Sequence, residues 1–116
     1  MNFESQEKGK YTIILSNVDK LDANNASELK ALFLLTNKKS INTIVLDISR
    51  TKYCDSSGLS AILIGNRLCK DSGGVFVLFG LQPNVKKLIE ISQLQTVLNI
   101  AKDIDEAVTH IPQVSA

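Results

Sequence analysis

Between Thr43 and Ile48 the chain reads Thr-Ile-Val-Leu-Asp-Ile, an apolar run without alternation between hydrophobic and polar residues. A strand with one wet face would alternate, so this run predicts a strand buried on both faces, at the centre of a largely parallel sheet. Parallel neighbours need long crossovers, and the rest of the chain supplies them as helices. Ser72-Gly73-Gly74 breaks one helical stretch, and Val75-Phe76-Val77-Leu78-Phe79 follows as a second strong strand.

The same logic places the remaining elements. Tyr11 to Leu15 is β-rich, and Phe3 to Glu7 forms a short strand that can pair with it through a Lys8-Gly9-Lys10 turn. From Asp22, expected as an N-cap, Ala26, Leu29, Leu32, Phe33 and Thr36 recur at helical spacing, and the helix is expected to end near Asn37. Gly58 to about Asp71 reads as a second helix, with Leu59, Ile62, Leu63 and Asn66 on one line and Ala61, Ile64, Gly65 and Leu68 on the next. Pro83 suits the first turn of a third helix carrying Val85, Leu88, Ile89 and Ser92. Val97 to Ile100 is expected as a last short strand, and Ile104, Ala107, Val108 and Ile111 as a C-terminal helix stopped by Pro112. The fold class is therefore α/β: a mixed, mostly parallel sheet of four to five strands with about four helices. One domain of 116 residues is expected, with its core at about 11–111 and a frayed tail at 112–116.

Charge excludes several partners. Thirteen basic and twelve acidic residues give a net charge of +1, and the longest basic clusters are Lys38-Lys39 and Lys86-Lys87. That argues against nucleic acid and against an anionic membrane surface. The first ten residues lack the apolar core of a signal peptide, and no segment approaches the roughly 18 apolar residues of a membrane span. A cytoplasmic location without direct membrane insertion is expected. Cys54 and Cys69 then read as two buried thiols, not as a disulfide or a zinc site.

Little in the sequence supports catalysis. The single histidine, His110, lies late in the C-terminal helix, far along the chain from Ser56 and Ser57, so a Ser-His-Asp site is disfavoured. No phosphate-cradling P-loop pattern is present. Asp19, Asp22, Asp47 and Asp55 fall near ends of elements and could meet at one sheet edge to hold a divalent cation, although isolated capping aspartates are commoner. No catalytic residue, cofactor or metal is expected.

What remains is Cys54-Asp55-Ser56-Ser57-Gly58-Leu59, where a strand hands over to a helix. One reading is a plain helix start, with a serine as cap and Gly58 allowing a tight bend. The other is a phosphorylation switch. A phosphoserine carries roughly −1.5 to −2 charges, which a helix N-terminus tolerates, while a partner fitted to the neutral hydroxyl would be repelled.

From Tyr11 to Ile111 the sequence resembles the STAS domain, and in particular the small single-domain bacterial anti-sigma factor antagonists. The resemblance rests on Ile44-Val45-Leu46-Asp47 followed by Asp55-Ser56-Ser57-Gly58-Leu59, with Leu21-Asp22 ahead of Ala26-Ser27-Glu28-Leu29. Gly74 to Leu78 and the Val85-Lys86-Lys87-Leu88 helix also look like later elements of that family. The resemblance implies a non-enzymatic partner switch. The unphosphorylated antagonist would bind a GHKL-type anti-sigma factor serine kinase and free a sigma factor for RNA polymerase. That kinase would phosphorylate Ser56, and a PP2C-type phosphatase would reset it. Asp22 matches the loop aspartate of kinase recognition, Asn24 belongs to the same partner-facing loop, and Asp55, Ser57, Gly58 and Leu59 frame the acceptor. Asn17-Val18-Asp19-Lys20 stands where the family usually has a glycine-glutamate pair, and Cys54 where it usually has methionine or another apolar residue. The contrasting expectation is an unphosphorylated STAS subunit of a larger assembly, such as a lipid-transport ABC complex.

Overall fold

The computed structural model describes residues 1–39 and 42–111. The expected stop at Pro112 and the expected frayed tail lie outside the described residues. In chain order the elements are β1 (Phe3–Glu7), β2 (Thr12–Ser16), β3 (Lys20–Leu21), α1 (Ala26–Lys38), β4 (Ile44–Asp47), β5 (Tyr53–Cys54), α2 (Ser56–Asp71), β6 (Phe76–Phe79), α3 (Pro83–Ile91), a single 3-10 turn (Leu94–Thr96), β7 (Asn99–Ala101) and α4 (Ile104–Thr109).

A five-stranded sheet runs in the order β1-β2-β4-β6-β7. The β1–β2 hairpin is antiparallel, with Phe3 opposite Ser16, and Gly9 turns it at φ 83°. Every other pairing in the sheet is parallel. β4 is the middle strand, and Ile44, Val45 and Leu46 are all fully buried, which is why its sequence does not alternate.

The two-residue period of the strands divides the core. Ile14, Ile44, Leu46, Phe76 and Leu78 pack with Leu29 and Phe33 of α1, Ile62 of α2 and Val85 of α3 on one face. Val45 and Val77 point the other way, under Ala107 of α4 and Ile111. On the first face the Phe33 and Phe76 rings meet edge to face at 5.6 Å. Gly65 lets α2 approach them, because a Cβ there would lie 2.7 Å from the Phe33 ring and 2.8 Å from that of Phe76.

Three expected element boundaries need correction, the first being the start of α2, which lies at Ser56 and not at Gly58 because Asp55 caps it. Asp22 does not cap α1: the helix starts four residues later, with Asn25 at the cap position and no side-chain cap bond. The Asp22 side chain instead accepts from the Asn24 amide, while its own carbonyl accepts from Asn25 and Ala26. The last strand is also displaced. Gln93, at φ 59°, ends the α3 segment and the 3-10 turn follows, so pairing begins only at Asn99 opposite Val77, leaving Val97 exposed.

Thr12, in β2, is buried and its hydroxyl has no partner. An orphaned buried hydroxyl carries a desolvation cost without a compensating bond. Thr12→Val keeps the branched shape, so it is expected to raise unfolding free energy by about 1 kcal/mol in urea denaturation. A loss of similar size would show that the hydroxyl is bonded in solution.

Candidate functional site

The loop after β4 is built from short polar links. Asp47 Oδ1 accepts from the amide and hydroxyl of Ser49 at 2.9 and 2.7 Å, and the Thr51 amide closes a turn on the Ile48 carbonyl at 3.0 Å. The Thr51 hydroxyl donates to the Val18 carbonyl at 2.8 Å. Having only one proton, it must accept from the Ser16 hydroxyl, 2.8 Å away. This buried chain ties the loop to the end of β2.

β5 then pairs in parallel with β3, Tyr53 opposite Lys20 and Cys54 opposite Leu21. Main-chain bonds fix this ribbon: the Lys52 and Tyr53 amides donate to the Asp19 carbonyl at 2.8 and 3.1 Å, and the Asp55 amide donates to the Leu21 carbonyl at 3.2 Å. Strands of two residues are too short to leave a readable period in the sequence.

Asp55 is the N-cap of α2. Its backbone is extended, and its Oδ1 accepts from the Gly58 amide at 3.0 Å. The cap is therefore the aspartate and not a serine, as the plain-helix reading had it. Gly58 does not serve a bend. It sits inside the first turn, and a Cβ there would strike the Leu21 carbonyl oxygen and lie 2.8 Å from Cys54 Sγ. Its lack of a side chain seats α2 directly on the β3–β5 ribbon.

The positions singled out from sequence differ in access. Ser56, the first helical residue, is exposed, as are Asp55 and Asn24, while Asp22 and Ser57 are half-buried. Gly58 and Leu59 lie in the interior, where they support the turn and do not present a surface. The loop carrying Asp22 and Asn24 is braced by Asn25, whose Oδ1 accepts from the Asp22 amide at 3.0 Å and whose Nδ2 donates to the Lys20 carbonyl at 2.9 Å. Asp22 follows Leu21, the residue that holds the Asp55 amide. Sequence reading passed over Tyr53, which is 47% exposed on the same ribbon.

His110 is exposed at the C-cap of α4, a helix on the sheet face opposite to α2. Ser56 and His110 are thus not assembled into a nucleophile-base pair. Of the aspartates considered for a cation, Asp22, Asp47 and Asp55 are turned to local amides and Asp19 lies 3.9 Å from Lys52 Nζ. Among the described residues no group of three or more His, Cys, Asp or Glu side chains could hold a metal ion. Nor is any described helix long and apolar enough to cross a membrane.

Both cysteines are free thiols. Burial, followed by the neighbouring Asp55 charge, pushes the Cys54 thiol from an ordinary 9.0 up to about 12. Burial pushes Cys69 up to about 11, against a hydrogen bond with the Ile44 backbone that lowers it. A neutral thiol is a poor nucleophile, so Cys54 is disfavoured as a nucleophile at neutral pH. Above about pH 9 the unfolded chain releases these protons while the folded chain keeps them, so stability falls as pH rises and is unaffected by them below that range. The urea midpoint is expected to fall from about pH 9 up to about pH 11, and Cys54→Ala is expected to flatten that fall.

The sequence profile of the STAS domain matches residues 2–107. BtrV of Bordetella bronchiseptica, named for anti-sigma factor antagonism, is 30% identical over 83 residues, 72% of each chain. An anti-sigma F factor antagonist of Paenibacillus polymyxa is 30% identical over 78 residues, 67% of each chain. The crystal structure of a Thermotoga maritima protein described as an anti-sigma factor antagonist superposes with a TM-score of 0.87 at 26% identity, covering 94% of this chain and 93% of the other. Profile, relatives and fold agree: this chain belongs to the STAS domain family.

Proposed function

We propose that the protein is an anti-sigma factor antagonist, working in the cytoplasm as one non-enzymatic domain whose affinity for an anti-sigma factor kinase is set by phosphorylation of Ser56. The observation that carries the reading is an exposed Ser56 hydroxyl at the first position of a helix whose cap, Asp55, is already satisfied. The names of the Bordetella and Paenibacillus relatives support the same role.

The chemistry follows from position. A phosphate on Ser56 would sit at the positive end of α2, so the fold can hold it without rearrangement. Asp55 next to it, and Asp22 on the neighbouring loop, would add to a local negative field that opposes a partner shaped for a hydroxyl. Asn24 and Ser57 complete the contact surface, and Gly58 and Leu59 fix its shape. A GHKL-type serine kinase is the proposed partner and modifier, and a PP2C-type phosphatase the agent that removes the phosphate.

Incubation with ATP and the GHKL-type kinases of the same genome, followed by peptide mass spectrometry, tests this. A single phosphate on Ser56, absent in Ser56→Ala, is the expected result. Incorporation that persists in Ser56→Ala would reassign the acceptor, and failure of every such kinase to bind would favour an unphosphorylated subunit of a larger assembly.

A further inference from the structure

Resting on the switch proposed above, we infer that the β3–β5 ribbon is itself a docking element, with Tyr53 as the aromatic anchor that fits an apolar socket on the kinase.

Side chains on a strand alternate between faces, and the inward face of the ribbon is identified by contact. Leu21 and Cys54 both approach the Gly58 position from within. Their neighbours Lys20 and Tyr53, paired across the ribbon, therefore point outward together. Tyr53 is 47% exposed and is the one aromatic among the exposed large hydrophobic side chains of the described residues. It stands three positions before Ser56, on backbone whose amides donate to the carbonyls of Asp19 and Leu21.

An exposed aromatic ring on rigid backbone is costly to leave in water and cheap to dock. It offers a large area and has few rotamers to lose, which is why tyrosine is enriched among residues that dominate binding energy. Its surroundings state what the socket must carry. Lys20 is exposed beside the ring, and Lys52 holds Asp19 only at 3.9 Å with its side chain 63% exposed. The nearby Asp22 and Asp55 carboxylates are turned to the amides of Asn24 and Gly58. The fitting partner surface is an apolar pocket with carboxylates on its rim, adjacent to the cleft that receives Ser56.

The test uses the full chain with ATP and whichever GHKL-type kinase of the same genome phosphorylates it. Tyr53→Ala is expected to raise KM about 30-fold while kcat stays within about twofold, the signature of lost uniform binding. Tyr53→Phe keeps the ring and is expected to stay within about threefold of wild type. Lys20→Glu is expected to raise KM in a manner that shrinks with added salt, and it carries the test alone if Tyr53→Ala does not fold. Unchanged KM in these variants, with phosphate still entering at Ser56, would overturn the docking role and leave the switch standing. If no kinase modifies Ser56, both fall.

Discussion

Ser56→Asp is expected to weaken kinase binding about 30-fold or more while leaving the melting temperature within a few degrees of wild type. A charge forced into an interface without a partner costs about 2 kcal/mol or more, and each 1.4 kcal/mol is a factor of about ten. On the folding side the sign is opposite. Ser56 is exposed at the first position of α2, where a carboxylate gains about 0.3–1 kcal/mol from the helix dipole. Isothermal titration calorimetry and thermal denaturation of the same samples separate the two terms. Equal affinity of Ser56→Asp and wild type would remove charge from the mechanism. A large fall in melting temperature would make Ser56 a structural residue.

Phe33→Ala is expected to cost about 3–5 kcal/mol, a large part of the 5–15 kcal/mol that typically holds a domain folded. Phe33 is fully buried and loses its edge-to-face contact with Phe76. Gly65→Ala makes a sharper probe of the same place. A helix interior gains about 1 kcal/mol when alanine replaces glycine, but here the new methyl meets two rings closer than 3 Å, and overpacking of that kind costs about 1–3 kcal/mol. The variant is therefore expected to be neutral or destabilised in the wild-type background and less costly once Phe33 is alanine, when only the Phe76 ring, 2.8 Å away, still opposes the methyl. Denaturant titrations of both single variants and the double variant give the coupling. Strict additivity would mean that the helices part to admit the methyl.

Much of this fold can be read from its residues because burial leaves a periodic trace. The unbroken apolar run of β4, the β1–β2 hairpin around Gly9 and the stripe of Ala26, Leu29, Phe33 and Thr36 each answer to one dominant force. Where several short-range hydrogen bonds compete, the trace is lost. Asp22 and Asn25 are both good caps, and the choice between them goes with local bonds in which the Asn25 side chain accepts from the Asp22 amide and donates to the Lys20 carbonyl. The same holds for the site. Asp55 through Gly58 stands out in sequence, yet the reason for the glycine, contact with the Leu21 carbonyl, lies 37 residues away along the chain and only the fold displays it. Tyr53 carries no signal at all, since exposure is not encoded in a two-residue strand.

The ribbon beneath Ser56 is held by carbonyls and amides of Asp19, Leu21, Lys52, Tyr53 and Asp55, so its shape is largely indifferent to which side chains it wears. Identity and architecture are thereby decoupled. The exposed positions Lys20, Lys52 and Tyr53 can therefore vary at little cost to folding, so the surface chemistry beside Ser56 can change while the main chain that shapes it stays as it is.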